Sequence, residues 1–382
     1  MLSHAAIEIV HEAKHSKHSA TVQKLSCLAT GMTNEELAEL VRIIEALRGR
    51  HGPCYYLRKE QTGACRTIEV DQEGDRIFIH LKTHNMPLLG KGAHKRVTYS
   101  ILYDPVEPKL VASAIVANSK TTRNEVALLE EFRGSKCIIE PLYIGKHTKK
   151  SGETCFEIIT PLYNKGSLRS FIKKNPHSVA FDVKIKIAKD ILTGACTLNA
   201  KGYVSRDNNR GNFLVHEENG IYSACLGDLG GHTDKVGVAV HKRPFGPSAR
   251  SGAPDLHRAY YENRLTEDDV FSNNVYSLGR VFHFLYFEKE VPWIATFSDK
   301  YPLIAALYND RSNPEVLTEI EQATEEISSY TTPRLQELSD KLFKGTISPE
   351  EHFEYIIFTM LSTNPEARQT NKYWLEYIND HF

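Results

Sequence analysis

Two carboxylates and an amide follow one another in the middle of the sequence, within residues 202–231. They are Asp207, Asn212 and Asp228. Carboxylate and amide oxygens are ligands that Mg²⁺ accepts from proteins, and the ion completes its octahedron with water and phosphate oxygens. A carboxylate such as Asp207 can also take a proton from a hydroxyl group. These residue types therefore indicate chemistry on a phosphate.

A β-hairpin is predicted to bring two of these residues together. An apolar run lies on each side of Asn219-Gly220, and Asn-Gly is the strongest short hairpin signal because both turn positions need a positive φ. A two-residue turn there sets Asn212 opposite Gly227 and leaves Asp228 just beyond the strand. On this segment alone, a surface hairpin with scattered polar residues remains the alternative.

Composition limits the class of protein. The 382 residues are enough for two or three domain-sized cores, and a net charge of −1 with 25% charged residues is typical of a soluble globular protein. The sequence has no basic stripe for nucleic acid and no apolar run long enough to span a bilayer. Glu8 and Glu12 lie where a signal peptide would be uncharged. We therefore expect a cytoplasmic protein with no nucleic-acid partner and no membrane span.

Residues 1–85 carry no catalytic motif. A helix is predicted to begin at Thr33 or Asn34 and to end near residues 49–52, because apolar residues recur at three-four spacing from Leu37 to Leu47. Alternating segments predict strands around 55–58, 67–70 and 76–82. This N-terminal accessory region is predicted to be either a cap packed on the next lobe or a module that binds a partner.

The central motifs resemble those of the protein-kinase family. Ser205-Arg206-Asp207 with Asn212 is similar to the catalytic loop H-R-D-x-x-x-x-N, and Asp228-Leu229-Gly230 is similar to the metal loop D-F-G. The resemblance implies ATP and Mg²⁺ as cofactors, with Asp228 and Asn212 as the metal ligands and Asp207 as the catalytic base.

Other family motifs occur in family order over residues 86–382. Gly90-x-Gly92 followed by Val97 resembles the start of the glycine-rich loop, whose amides approach phosphates. Ala253-Pro254-Asp255 resembles A-P-E, whose acid pairs with a C-terminal arginine, here Arg368. The implied fold is α+β and bilobal. A small β-rich N-lobe with one helix (about 86–160) is followed by a larger helical C-lobe (about 165–382), with ATP in the cleft.

The family's phosphate-binding lysine is missing from its usual strand. Its position is Ala114 or Val116, depending on register, although Glu125 fits the helix glutamate that pairs with that lysine. With-no-lysine (WNK) kinases carry the lysine at the third glycine of the loop, and Lys95 stands at that position. We therefore predict a Lys95–Glu125 pair. The alternatives are that Lys95 is a solvated loop residue, or that Lys109 or Lys120 supplies the cation.

The resemblance assigns further residues. Thr160 is expected near the adenine, which would bond the backbone around Leu162, because Pro161 has no N–H to donate. Asn209 replaces the lysine that contacts the transferred phosphate. Arg210, one position later, is the predicted substitute, since a guanidinium makes bidentate phosphate contacts.

Two further expectations concern the support of the catalytic loop and its regulation. Asn274 stands where the family has an aspartate, and its amide oxygen is expected to accept the backbone N–H groups that hold the loop. Thr233, Ser248 and Ser251 are candidate phosphosites in the segment that follows Asp228, with Arg206 as the phosphate receptor. A loop that is ordered without phosphate is the alternative.

The motifs lead to two hypotheses about function. The first is an atypical protein kinase that transfers the ATP γ-phosphate to a protein hydroxyl, with serine or threonine preferred. The second is a pseudokinase that binds nucleotide or a regulatory partner and acts as a scaffold or allosteric regulator. The many departures from the family pattern favour a divergent kinase, with a bacterial effector acting in a host cell as one hypothesis of its origin.

Overall fold

The computed structural model of the protein describes residues 54–58, 65–73, 76–82, 89–91, 95–103, 109–148, 154–230, 233–241, 252–307 and 311–382. The chain divides into two compact units. Unit 1 comprises residues 1–133 and 140–162, and unit 2 comprises residues 134–139 and 163–382. The helix predicted to begin at Thr33 or Asn34 lies outside the described residues.

The described part of unit 1 is an antiparallel sheet with one helix. Its strands are β1 (Cys54–Arg58), β2 (Cys65–Glu73), β3 (Arg76–Lys82), β4 (Gly90–Lys91), β5 (Lys95–Tyr103), β6 (Lys109–Ala117), β7 (Tyr143–Thr148) and β8 (Thr154–Pro161). The strand order is β1-β2-β3-β5-β6-β8-β7, and β4 pairs with the start of β5. The three strands predicted before residue 85 are therefore confirmed.

These early strands belong to the same sheet as the later ones. Strand β3 pairs with β5 in a continuous ladder from Ile77 opposite Tyr103 to His80 opposite Ser100. The predicted boundary between an accessory region and a kinase domain at residues 85/86 therefore does not separate two sheets. Alternating apolar residues predicted the strands, but they carry no information about which neighbour each strand pairs with.

Helix α1 (Lys120–Glu131) begins where Ser119 caps it, with the Ser119 hydroxyl accepting a hydrogen bond from the Thr122 N–H at 3.1 Å. Its buried residues recur at helical spacing: Thr122, Glu125, Leu128 and Leu129. This spacing sets Glu125 on the buried face of the helix, beside Leu128 and Leu129.

Unit 2 is mainly helical, with one short strand before its first described helix and four strands between the second and the third. Its strands are β9 (Gly166–Ser167), β10 (Tyr203–Ser205), β11 (Phe213–Glu218), β12 (Ile221–Leu226) and β13 (Thr233–Lys235). Its helices are α2 (Leu168–Lys174), α3 (Phe181–Ala200), α4 (Val236–His241), α5 (Pro254–Tyr261), α6 (Glu267–Phe287), α7 (Phe297–Lys300), α8 (Pro302–Ala306), α9 (Val316–Phe343), α10 (Pro349–Met360) and α11 (Asn371–His381).

Helices α3 and α6 position the functional segments of unit 2. The apolar face of α3 is buried, including Ile191 and Leu198. The hairpin packs on α3, where the Asp190 carboxylate accepts a hydrogen bond from the Ala224 N–H at 2.9 Å. Helix α11 also packs on α3, and α10 packs on α6. In the part of the chain that the structure describes, no helix has both the length and the apolar character needed to cross a bilayer.

Candidate active site

Lys95 and Glu125 form an ion pair in unit 1. The Lys95 Nζ lies 2.6 Å from the Glu125 Oε1, and the two side chains are 24% and 8% exposed. A buried carboxylate is costly without a partner, so the lysine compensates a charge that the helix holds inside. The structure thus brings together the two residues that the sequence predicted to pair, one from the start of β5 and one from α1.

The positions where the family carries its lysine are apolar and buried. Strand β6 pairs with β5 so that Val116 lies opposite Lys95 and Ala114 lies opposite Val97. Val116 and Ala114 are 3% and 4% exposed. Of the alternative cations, Lys120 is exposed at the start of α1, and Lys109 begins β6 with its side chain outside the described residues.

One face of the sheet carries the predicted nucleotide-binding residues of unit 1. Directly opposed residues share a face, and side chains alternate along each strand. Lys95 lies opposite Val116, Val97 lies opposite Ala114, and Thr160 lies opposite Ala112. Since these partners are alternate residues of β6, Lys95, Val97 and Thr160 point to the same side.

The other predicted nucleotide-binding residues of unit 1 lie in or next to short strand segments. Leu162 directly follows β8, and Gly90 lies in β4 opposite Val97. Gly92 lies outside the described residues.

In unit 2, the hairpin has the register that the sequence predicts. Strands β11 and β12 pair from Phe213 opposite Leu226 to Glu218 opposite Ile221. The turn residues Asn219 and Gly220 both have positive φ, 52° and 80°. The ladder continues one step further, with the Gly227 N–H donating to the Asn212 carbonyl at 2.7 Å.

This register sets Asn212 and Asp228 at the same end of the hairpin. The Asn212 Nδ2 donates to the Asp207 carbonyl oxygen at 2.9 Å and lies 3.3 Å from the Asp207 Oδ2. Because a carbonyl oxygen only accepts, the amide nitrogen must face Asp207, which turns the Asn212 oxygen away from it.

Asp228 and Asn212 have donor chemistry that fits Mg²⁺. Asp228 is exposed, and its Oδ1 accepts a hydrogen bond from the Gly230 N–H at 2.8 Å. Within the described residues, no three His, Cys, Asp or Glu side chains cluster in a way that could hold a metal by themselves. A pair of oxygen ligands suits an ion that draws the rest of its shell from water and phosphates.

Asp207 lies two residues after strand β10, which is held by backbone pairing and by an ion pair next to it. Strand β10 pairs with β13, and Val204 lies opposite Asp234. The Arg206 guanidinium forms an ion pair with the Asp234 carboxylate, and their side chains are only 6% and 9% exposed. The predicted phosphate receptor therefore already faces a carboxylate of the chain itself. The candidate phosphosite Thr233 is buried, and Ser248 and Ser251 lie outside the described residues.

Asn274 supports the loop in a way that differs from the sequence prediction. Its Nδ2 donates to the Ser205 carbonyl oxygen at 2.7 Å, so the amide nitrogen contacts the loop, whereas an accepting oxygen was expected. That expectation was wrong because Ser205 presents its carbonyl, which needs a donor. Asn208 provides a second support, since its Nδ2 donates to the Ser277 hydroxyl at 2.9 Å.

Arg210 contacts the body of unit 2. Its guanidinium forms an ion pair with Glu290 and lies over the Phe284 ring, 4.4 Å from the ring centre. The neighbouring Asn209 accepts a hydrogen bond from the Gly211 N–H at 2.7 Å. Because these contacts engage the guanidinium, we leave Arg210 out of the proposed chemistry.

The closing pair of the resemblance is confirmed. The Arg368 Nη2 lies 2.5 Å from the Asp255 Oδ1, and the arginine side chain is fully buried. Sequence reasoning missed Asp234 and Asn208 as supports of the catalytic loop. Asp234 had a weak signal, because it is the only carboxylate between Asp228 and Asp255.

Comparison with known proteins agrees with this geometry. Residues 84–234 match the family described as protein tyrosine and serine/threonine kinase. All the predicted catalytic, metal and nucleotide residues lie in that range.

Two curated relatives were found. Dual specificity testis-specific protein kinase 1 of Rattus norvegicus is 28% identical over 145 residues, which is 38% of this chain and 22% of the relative. Serine/threonine/tyrosine-protein kinase HT1 of Arabidopsis thaliana is 27% identical over 143 residues, 36% of this chain and 35% of the relative. The chain thus matches between 22% and 35% of the length of these relatives. Over this part of its length the chain is thus similar to serine/threonine and tyrosine kinases, and the similarity is distant.

Proposed function

We propose that this protein is an atypical, ATP-dependent protein kinase that transfers the γ-phosphate to a hydroxyl group of a protein substrate. The observation that carries the proposal is the 2.6 Å ion pair between Lys95 and Glu125. The strand that usually supplies the phosphate-binding lysine has only Ala114 and Val116 at the relevant positions. A relocated lysine paired with the helix glutamate supplies the missing cation, as in with-no-lysine kinases.

Lys95 binds the α- and β-phosphates of ATP through its ammonium group. Glu125 is buried and accepts a hydrogen bond from Lys95, so it orients the ammonium group that binds the phosphate oxygens. The amides of the loop that begins at Gly90 cover the phosphates, and the backbone near Leu162 binds the adenine, with Thr160 beside it.

Asp207 takes the proton of the acceptor hydroxyl. Its Oδ2 lies toward the amide nitrogen of Asn212, so Oδ1 is the oxygen that receives the proton. Asn212 therefore has two roles, because its nitrogen orients Asp207 while its oxygen remains for a metal. A positioned base of this kind contributes about 10²- to 10⁴-fold to a rate.

Asp228 and Asn212 would hold Mg²⁺. When bound, the ion neutralises charge on the β- and γ-phosphates. We assign the site of action to the cytoplasm, where ATP is available, and serine or threonine as the first acceptors to test. Tyrosine belongs in the same assay, because the two relatives are named as dual specificity and serine/threonine/tyrosine kinases.

A pseudokinase that works as a nucleotide-binding scaffold is the second candidate. It is favoured by Asn209 and Arg210, since the first replaces the lysine that contacts the transferred phosphate and the second is engaged with Glu290. Such a protein would bind ATP and regulate a partner without transferring phosphate.

The test is transfer of labelled γ-phosphate to protein acceptors with Mg²⁺, using wild type, Asp207→Asn and Lys95→Met. Two exposed residues provide matched controls, Asp380→Asn and Lys120→Met. We expect both site variants to lose about 10²-fold or more of the transfer rate, and both controls to match wild type.

The same proteins are examined by thermal shift with ATP, with and without Mg²⁺, since stabilisation follows occupancy. No transfer by wild type with any acceptor, together with a shift on ATP, would reject the kinase proposal in favour of the scaffold. Activity in Lys95→Met with Asp207→Asn dead would reject only the role of Lys95.

A further inference from the structure

Three asparagines from three helices form a chain of hydrogen bonds beneath the catalytic loop. Asn371, the first residue of α11, donates through its Nδ2 to the Oδ1 of Asn199 in α3 at 2.9 Å. The same nitrogen donates to the Oδ1 of Asn274 in α6 at 2.7 Å. Asn199 and Asn274 in turn donate to the carbonyl oxygens of Tyr203 at 3.0 Å and Ser205 at 2.7 Å. We call these residues the amide triad.

The direction of every bond in the amide triad is fixed by the backbone. The Tyr203 and Ser205 carbonyl oxygens can only accept, so Asn199 and Asn274 must turn their nitrogens toward them. The side-chain oxygens of Asn199 and Asn274 then both face Asn371. Only the NH₂ group of Asn371 can donate hydrogen bonds to them. This orientation follows from chemistry and does not depend on telling nitrogen from oxygen in each amide.

Burial makes these bonds matter. Asn371 is 4% exposed and Asn274 is 3% exposed, so water cannot substitute easily for a lost partner. A buried polar group that loses its partner keeps the full cost of its desolvation. A network of such groups is therefore strongly selective for one arrangement of the chain.

Capping of α11 does not explain the Asn371 side chain. The helix is capped by Thr370, which accepts a hydrogen bond from the Tyr373 N–H at 3.1 Å. The described contacts of the Asn371 amide go instead to Asn199 and Asn274, both outside its own helix.

A small cavity lies beside the residues of the amide triad. A space of about 10 Å³, room for a single water molecule, adjoins Ser205. It is lined by Ala195, Leu198, Asn199, Ser205, Asn208, Phe213, Leu226 and Asn274. Asn199 and Asn274 of the amide triad therefore border a small space beside Ser205.

We propose that Asn371 is a positioning residue for Asp207, acting through Asn274 and Asn199 on strand β10, which ends two residues before Asp207. Its effect on turnover rests on the proposed kinase activity, whereas its effect on the order of the loop does not. The two parts are therefore measured separately.

The test replaces Asn371 with aspartate. At neutral pH a carboxylate has no hydrogen to donate, and it sets a negative charge against the two amide oxygens. An acidic residue in the first turn is favourable for α11 itself, so any loss acts through the amide triad. Asn379→Asp, on the exposed part of the same helix, is the matched control. Asn371→Ser, which is small and uncharged, serves if the aspartate variant does not fold.

The first readout is amide hydrogen exchange in peptides covering residues 203–212, with ATP affinity as a check on unit 1. We expect exchange at least about tenfold faster in the Asn371 variants, unchanged in Asn379→Asp, and ATP affinity within about twofold of wild type. Unchanged exchange in a folded variant would overturn the proposal, even if wild type proves inactive.

The second readout is phosphate transfer, where we expect the variants to lower kcat and leave the KM for ATP nearly unchanged. Faster exchange with an unchanged kcat would overturn the catalytic half of the inference.

Discussion

Each unit holds a predicted site segment with an ion pair, and the two pairs differ in the exposure of their cation. In unit 1 the Lys95 side chain is 24% exposed while its partner Glu125 is 8% exposed. In unit 2 the Arg206 and Asp234 side chains are 6% and 9% exposed. The first pair therefore presents a cation to solvent, whereas the second is enclosed at both ends.

This difference separates a pair that can bind a ligand from a pair that holds the chain. A partly exposed ammonium group is accessible to a phosphate, and its carboxylate partner orients it. A guanidinium enclosed with a carboxylate has no such freedom, and removing one partner leaves a charge inside the protein. We therefore expect changes in the Lys95–Glu125 pair to alter activity more than stability, and changes in the Arg206–Asp234 pair to do the reverse.

The largest effect is expected for Asp234→Ala. It leaves the buried Arg206 guanidinium without this carboxylate, which should lower the free energy of unfolding by about 3–5 kcal/mol. Asp234→Asn keeps a hydrogen-bond acceptor and should lose less. Urea unfolding measures both. If the free energy of unfolding falls by less than about 1 kcal/mol in both variants, the expected contrast between the two ion pairs is wrong.

Glu125→Gln should have the next largest effect, and on a different quantity. The amide still accepts a hydrogen bond from Lys95 but no longer balances its charge. Transfer should fall by about 10- to 100-fold, or about 1.4–2.7 kcal/mol, because the lysine is less firmly oriented. The free energy of unfolding should change by less than about 1 kcal/mol, since Lys95 is partly hydrated. A large stability loss with normal transfer would contradict the comparison.

Gly220→Ala should cost about 1–2 kcal/mol of stability, because its φ of 80° is unfavourable for a residue with a Cβ. The added Cβ meets no atom within 4 Å, so backbone strain is the only cause. Gly345→Ala is a matched control, with a φ of 67° and equally open space at the end of α9.

Both glycine variants should lose similar stability in urea unfolding. Only Gly220→Ala should weaken the Mg²⁺ dependence of ATP binding, because its turn joins the strands that carry Asn212 and Asp228. Equal Mg²⁺ dependence in the two variants would contradict a role for the hairpin in metal binding.

The smallest effect is expected for Lys372→Ala, which removes an exposed pair with Glu376 at 3.8 Å. Such i,i+4 pairs contribute at most about 0.5 kcal/mol. The variant measures how much an ion pair contributes to the free energy of unfolding when neither partner is buried. A loss near that of Asp234→Ala would mean that burial is not what distinguishes the pairs.

Sequence reasoning found the parts of the site that local patterns encode. The Asn219-Gly220 turn fixes the register of its hairpin, because both residues adopt positive φ. Motif spacing identified Asp207 and its neighbours. Lys95 was identified because the carboxylate of Glu125 requires a cation as its partner.

Supports that join distant parts of the chain could not be predicted. The bond from Asn371 to Asn274 spans 97 residues, and an asparagine at a helix start has no pattern that names its partners. The donor role of Asn274 depends on the direction of the Ser205 carbonyl group, which the sequence does not specify. The pairing of β3 with β5 across the boundary expected at residues 85/86 could not be predicted either, because strand order is a property of the whole fold.

These sequence separations determine when each part of the site can form during synthesis. The hairpin between Asn212 and Asp228 uses local contacts, and hairpins form in about 1–10 μs. Ribosomes add about 5–20 residues per second, so the proposed metal ligands can meet seconds before α11 is made. The bond from Asn371 to Asn199 spans 172 residues and must wait for that helix. A nascent chain therefore acquires the hairpin with its proposed metal ligands early and the support beneath Asp207 later.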